Sequence, residues 1–128
     1  NYSIFLIQKL RNKIKPNGKI IFIGAVLGKE PDASSISYGV SKGSLPILCK
    51  YLAKEFAPRK ITVNVVAPGF IETEWHKDKP KDQIERIKNK TLLKRFGYPN
   101  EVSDICQALI NNDYITGQTI YIDGGYNL

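Results

Sequence analysis

Ile61-Thr62-Val63-Asn64-Val65-Val66-Ala67-Pro68-Gly69 is a nearly unbroken apolar and β-branched run stopped by Pro-Gly. A strand with one wet face alternates polar and apolar residues; a run with so little alternation reads as a strand buried on both faces. Pro68 withdraws an amide and Gly69 lets the chain turn, so the strand ends there. On the N-terminal side, Lys19-Ile20-Ile21-Phe22-Ile23-Gly24 repeats the pattern, and on the C-terminal side Thr119-Ile120-Tyr121-Ile122 leads into Asp123-Gly124-Gly125. The segments between these runs carry a helical period instead. Ile4, Ile7, Leu10 and Ile14 form one stripe, stopped by Pro16-Asn17-Gly18. Leu45, Leu48, Cys49, Leu52 and Phe56 form a second, on a helix predicted from Tyr38 to Phe56. Pro46 lies inside it and should bend it, because the carbonyl of Lys42 loses its amide partner. Val102, Ile105, Cys106, Leu109 and Ile110 form a third stripe near Pro99-Asn100. Helix, strand, helix, strand, helices, strand is the order of an α/β parallel sheet with right-handed crossovers. The polar stretch from Gly28 to Ser37 reads as a loop. Ile71 to Lys90 reads as a mobile flap holding a short helix, with Pro80 in its first turn.

The 128 residues suffice for one domain with a single core. No apolar run approaches the ~20 residues of a membrane span, and Asn1-Tyr2-Ser3-Ile4-Phe5 lacks the basic flank and cleavage site of a signal peptide. Cys49 and Cys106 fall on helical stripes and read as buried free thiols, which suits the cytoplasm. With one histidine and two distant cysteines, no metal site is expected. The formal charge of +7 allows nucleic acid, an anionic cofactor or an acidic protein as partner. The basic residues are dispersed, however, without a Lys/Arg run interleaved with aromatics, so neither nucleic acid nor a membrane is the expected partner. Lys77, Lys79, Lys81, Lys88 and Lys90 of the flap read as a solvated face.

Chemistry is expected where the strands end. In open parallel sheets ligands bind beyond the carboxyl ends of the strands. Gly24-Ala25-Val26, Pro68-Gly69-Phe70 and Gly124-Gly125 all reach that edge, and the helix opening at Tyr38 starts close to it. Tyr38 and Lys42 lie one turn apart on one helix face. An ammonium held near a phenol favours the phenolate, which gives a proton donor or acceptor suited to neutral pH. On spacing alone the pair reads as a surface tyrosine and lysine; its place at the strand edge is what singles it out.

Five segments occur in the order of the short-chain dehydrogenase/reductases. They are Gly18-Lys-Ile-Ile-Phe-Ile-Gly24, Tyr38-x-x-x-Lys42, Ile61-Thr-Val-Asn-Val-Val-Ala-Pro-Gly-Phe-Ile-Glu-Thr73, Arg95-Phe-Gly-Tyr-Pro99 and Ile115-Thr-Gly-Gln-Thr-Ile-Tyr-Ile-Asp-Gly-Gly125. The chain resembles that family, and most of all its 3-oxoacyl-[acyl-carrier-protein] reductase branch. The resemblance spans residues 1–128 and matches the C-terminal portion of a single family domain. It implies a partial doubly wound, Rossmann-like sheet of about three strands with flanking helices. It also implies NADP(H), with NAD(H) possible, as cofactor. The substrate would be a small-molecule or carrier-bound carbonyl, a 3-oxoacyl thioester of fatty acid synthesis, and the assembly a homo-oligomer. Tyr38 resembles the catalytic acid/base, and Lys42 the lysine that assists it and bonds the nicotinamide ribose. Pro68, Gly69, Ile71 and Thr73 resemble the segment holding the nicotinamide end. Asn1 resembles the asparagine of a proton relay; the alternative is a terminal residue without a role. Arg59 matches a carrier-docking position, or is a surface arginine in a turn, and Asn64 is expected to be structural.

Two departures stand out. The family's catalytic serine lies thirteen residues before the tyrosine, and Ala25 occupies that place. A methyl group cannot hydrogen-bond a substrate carbonyl; Ser34, Ser35 and Ser37 are near but out of position. The glycine-rich loop that cradles a dinucleotide pyrophosphate is also absent from these residues: there is no G-x-G-x-x-G. The edge of the sheet beside Gly18–Gly24 is therefore expected to lie open. A non-catalytic remnant, or a half that needs a partner chain, is the alternative reading.

Overall fold

A computed structural model describes residues 2–31 and 35–128, so Asn1 and Ser34 lie outside the described residues. β2 (Thr62–Pro68) runs between β1 (Lys19–Ile23) and β3 (Thr119–Ile122) in a parallel sheet of order β1-β2-β3. Lys19 sits opposite Thr62 and Ile23 opposite Val66; Val65 sits opposite Thr119 and Pro68 opposite Ile122. This register brings all three carboxyl ends to one edge, where the amide of Gly24 donates to the carbonyl of Val66 and that of Gly69 to the carbonyl of Ile122, both at 2.8 Å. Residues 62–67 are all buried, as their lack of alternation requires. The flanking strands depart from that expectation. β1 is mostly half-buried, its last residue Ile23 being 51% exposed, and β3 is half-buried throughout. Each has a described strand on one side only, so neither reaches the burial of the centre.

Helices cover both faces. α1 (Tyr2–Leu10) and α3 (Leu45–Phe56) pack on one, through Ile7, Leu45, Cys49, Leu52 and Phe56 against Ile20, Val63, Val65 and Ala67. α6 (Pro99–Ile110) packs on the other and buries Leu109. Burying each such valine or leucine contributes roughly 1.5–3 kcal/mol. Of the two cysteines, Cys49 is fully buried, whereas Cys106 is only half-buried on α6, against expectation. α1 stops at Leu10, one turn short of the predicted Ile14, although Ile14 still packs on the core.

The helix predicted from Tyr38 to Phe56 is two helices. α2 (Ile36–Gly43) starts two residues early because Ser35 caps it, its Oγ accepting from the amide of Tyr38 at 3.3 Å. The bend expected at Pro46 is a break at Ser44, which places Pro46 in the first turn of α3, where its missing amide costs nothing. The Lys42 carbonyl that Pro46 cannot serve accepts from the Ser44 amide instead. The flap holds two helices, not one: α4 (Glu74–Lys77) and α5 (Lys81–Asn89). Pro80 is the N-cap of α5, one position before the first turn predicted for it.

Candidate functional site

The carboxyl ends of β1 and β2 open onto a cavity of about 630 Å³. Ala25, Val26, Leu27, Ser35 and Tyr38 line one part of it, and Pro68, Gly69 and Phe70 the strand edge. Ala25 stands in extended backbone (φ −158°, ψ 150°) ahead of a single helical turn at Val26–Gly28. That turn is clamped to α2 by two glycines: a Cβ on Gly28 would come within 2.6 Å of the amide nitrogen of Gly43, and one on Gly43 within 2.7 Å of the carbonyl oxygen of Gly28. The close approach sets Ala25 and Tyr38 around one space.

Lys42 is fixed from the sheet. Its Nζ donates to the carbonyl of Ile23 at 3.0 Å and lies 5.9 Å from the centre of the Tyr38 ring. The ammonium thus stands beside the phenol, one turn along α2, and Tyr38 itself is 43% exposed at the cavity wall. An ammonium carries three donors, and this one spends one of them on Ile23. Pro68 and Gly69 reach the same cavity; Ile71 and Thr73 do not line it. Ile71 bridges to Gly97, and Thr73 lines a neighbouring space of about 420 Å³ with Glu72 and Glu74. The donors of Lys42, the hydroxyl of Tyr38 and the Pro68-Gly69 backbone suit the nicotinamide and ribose end of a dinucleotide. The described residues contain no glycine-rich turn for its pyrophosphate.

Arg59 is engaged elsewhere. Its guanidinium donates to the carbonyls of Arg11, at 2.6 Å, and Ile14, and it lies against the Phe56 ring. It tethers the chain that follows α1, an intramolecular use of the side chain. Asn64 has the structural role expected of it: its amide donates to the Ile115 carbonyl at 2.9 Å and accepts from the Gln118 amide at 3.1 Å. Arg95 pairs with Glu101 through contacts of 2.7 and 2.9 Å, and Glu101 also accepts from the Tyr98 amide that opens α6. The bond from Arg95, then that from Tyr98, hold the Glu101 carboxyl down to about 2. This motif anchors a helix and does not touch the cavity.

The flap supplies what the sequence reading missed. His76 of α4 stacks among Phe70 and Phe96, ring centres 5.8 and 5.6 Å away, and its Nδ1 is buried without a hydrogen-bond partner. Burial, then the nearby charge of Lys79, lower its proton affinity. Lys79, Gln83, Arg86 and Lys90 line the cavity, together with Ile87. Of the lysines read as a solvated face, Lys77, Lys81 and Lys90 are exposed, Lys90 at the rim of the cavity, whereas Lys79 is half-buried against it. The signal lay in the spacing: positions 83, 86, 87 and 90 share one helix face, and the buried Ile87 turns that face inward.

A family described as Enoyl-(Acyl carrier protein) reductase matches residues 2–127. A 3-oxoacyl-[acyl-carrier-protein] reductase FabG of Buchnera aphidicola is 41% identical over 128 residues, covering 96% of this chain and 52% of that protein. Carbonyl reductase family member 4 of Xenopus laevis is 43% identical over 111 residues, covering 87% of this chain and 46% of that protein. Among solved structures, a short-chain dehydrogenase/reductase from Serratia marcescens superposes with a TM-score of 0.86 at 31% identity, over 94% of this chain and 50% of that one. A blue fluorescent protein from a metagenomic library, in complex with NADPH, superposes with a TM-score of 0.85 at 26% identity, over 95% of this chain and 50% of that one. The chain spans about half the length of the curated relatives it matches.

Proposed function

The chain belongs to the short-chain dehydrogenase/reductase family, and from that premise we propose that it carries the acid/base centre of an NAD(P)H-dependent carbonyl reductase. The observation that supports this reading is the Lys42 ammonium, held by the Ile23 carbonyl beside the Tyr38 ring at a cavity wall. The proposed substrate is a 3-oxoacyl thioester, in keeping with relatives named as 3-oxoacyl-[acyl-carrier-protein] reductases. A bound nicotinamide would supply hydride to the carbonyl carbon. Tyr38 then gives its hydroxyl proton to the carbonyl oxygen, and positive charge from Lys42 stands where the phenolate forms. The free donors of Lys42 hold the ribose, and Pro68-Gly69 carries the nicotinamide end, with Ile71 and Thr73 completing that segment. Asn1 belongs to the same proposal as a proton-relay residue. NADP(H) is the proposed cofactor because a similar structure holds NADPH. Residues 1–128 are read as the C-terminal portion of one domain that works as a homo-oligomer in the cytoplasm, with no nucleic acid or membrane partner. Among the described residues no helix is long and apolar enough to cross a membrane.

The test is NADPH oxidation with acetoacetyl thioester by this chain and by Tyr38→Phe. Turnover lost by at least about 10²-fold in Tyr38→Phe, as removal of a positioned acid requires, supports the reading; equal rates sink it. Ala25 favours a second reading, in which the chain is a non-catalytic half that needs a partner. A methyl group stands where the resemblance puts a hydrogen-bond donor to the carbonyl. Saturable, micromolar NADPH binding by the isolated chain, followed by cofactor fluorescence, would refute that second reading.

A further inference from the structure

We propose that His76 is a proton-sensitive latch of the flap: the neutral ring, seated among Phe70 and Phe96, closes the partition between two cavities, and the protonated ring leaves that seat for the side of Glu72 and Glu74. The latch is independent of the carbonyl chemistry, since it governs access to the cavities and not the reaction within. His76 lines both the space of about 630 Å³ that holds Tyr38 and the neighbouring one of about 420 Å³. Its seat is a fixed aromatic group. Phe70 has the rings of Tyr126 and Phe96 at 5.4 and 6.1 Å between centres, and both of those residues are buried. His76 meets Phe96 edge-on, at 84°, and is itself only half-buried, so it is the member of the group that can leave. The His76 amide donates to the Thr73 carbonyl at 3.0 Å and its carbonyl accepts from the Lys79 amide at 3.3 Å, both within the flap. The ring, and not the backbone at this residue, therefore ties α4 to the aromatic group.

An apolar seat suits the neutral imidazole alone. Nδ1 is buried there without a hydrogen-bond partner, and an imidazolium carries two N–H donors that need partners. The charges on the two sides differ. On the Tyr38 side, Lys79, Arg86 and Lys90 line the cavity with the Tyr126 phenol, and no carboxylate lines it among the described residues. Of these, Lys79 is the cation whose charge acts on the ring. On the other side, Glu72 ahead of α4 and Glu74 of α4 line the neighbouring space, with Lys77 of α4 and Lys88 of α5. Lys77 lies 3.4 Å from Glu74, and Lys88 4.0 Å from Glu85. Arg95, next to Phe96, is bonded to Glu101 and feels the charge of Glu72. Asp78, Asp82 and Glu85 line neither space. A proton on His76 is repelled from one side and drawn to the other, which gives the ring two discrete positions. Burial, then Lys79, lower the proton affinity of the seated ring below the ordinary 6.5. Closure is therefore favoured in full above 6.5. That preference is lost as the pH falls through the value of the seated ring, by at most about tenfold per pH unit for one proton.

The experiment follows the ring resonances of His76, the chain's single histidine, by NMR from about pH 8 to about pH 5. Hydrogen exchange of residues 70–80 is read over the same range and corrected for the intrinsic rate. The parent should titrate with a midpoint below 6.5, and its protection over residues 70–80 should fall at least about threefold from pH 7.5 to pH 5.5. His76→Phe keeps an aromatic ring in the seat and should hold that protection constant. Lys79→Gln should move the midpoint up toward 6.5, and Glu72→Gln, which removes a receiving carboxylate, should move it down. A parent midpoint at or above 6.5, protection that falls as much in His76→Phe as in the parent, or a midpoint that neither charge variant moves overturns the latch. Should His76→Phe fail to fold, the charge variants decide, because both leave the seat intact: the exchange transition must follow the shifted midpoint, and one that stays in place overturns the latch. Tyr38→Phe should titrate as the parent does. Absent turnover with an intact transition therefore sinks the carbonyl chemistry alone, and Tyr38-dependent turnover without the transition sinks the latch alone.

Discussion

Ala25 and Cys49 show how much one side chain's surroundings decide. Ala25 lies in extended backbone that any residue adopts and borders an open cavity. A serine there meets no steric objection and adds one donor toward a bound carbonyl. Ala25→Ser is expected to raise kcat for acetoacetyl-thioester reduction by about 10²–10³, the usual worth of one such donor, with KM changed far less. Steady-state kinetics of the pair of proteins checks this, and an unchanged kcat would place the limit elsewhere. Cys49 is 0% exposed, its Sγ donates to the Val63 carbonyl at 3.1 Å, and burial pushes its thiol up to about 11. Thiolate is the reactive form, so Cys49 should resist alkylation while the half-buried Cys106 reacts. Mass spectrometry after iodoacetamide should find one modified cysteine in the folded chain and two in denaturant. Both cysteines look alike in the sequence, each on an apolar stripe. What separates them is the depth of α3 against the sheet relative to α6, and periodicity carries no measure of depth.

At the scale of elements, α2 is held where it can present Tyr38 and Lys42 by its contact with the turn at Val26–Gly28. Gly43→Ala would drive a Cβ to 2.7 Å from the Gly28 carbonyl oxygen, while a Cβ on Gly39 meets only the Leu27 carbonyl oxygen at 3.5 Å, an ordinary contact. Gly43→Ala should therefore destabilise by about 1–3 kcal/mol, and Gly39→Ala should be neutral or slightly stabilising, since alanine is the better helix former. Urea denaturation of the two variants measures the contrast. Helix α6 offers a pH test. Glu101 has its carboxyl held at about 2 against an ordinary 4.5. Its folded value is depressed, so its contribution is whole above about 4.5, shrinks as the pH falls from there and is gone below about 2. The stability gap between the parent and Glu101→Gln should close over that window, and a gap constant from pH 6 to pH 2 would show that the Arg95 pair does not couple to folding. The helices themselves were legible from period and punctuation. Their joints were less so. Ser44 breaks the predicted long helix because Pro46 favours a first turn, and proline announces a disturbance without saying whether it bends or restarts a helix.

For the molecule as a whole, the parallel sheet followed from three apolar runs separated by helical stripes, and the edge carrying Tyr38, Pro68 and Gly69 followed from strand direction. The flap wall of the cavity was not foreseen. It depends on how the chain after Gly69 folds back over the edge, which is fixed by tertiary contacts such as the Ile71–Gly97 bridge and the Asn127 amide on the Lys90 carbonyl. The same reasoning from strand order bears on association. Among the described residues β1 pairs only with β2, so its other edge presents unpaired backbone groups. Beside the sheet, α1 carries Tyr2 and Phe5 at 78% and 61% exposure. An apolar helix face near a free strand edge is a surface that other chains pair with or stack on. The isolated chain should therefore self-associate at tens of micromolar, a range set by typical weak interfaces. Tyr2→Glu/Phe5→Glu should shift it toward monomer, without loss of helix signal because neither side chain is buried. Sedimentation equilibrium separates the outcomes: a parent chain that is already monomeric, or a doubly charged variant that associates as strongly, would show that this face is not what brings the copies together.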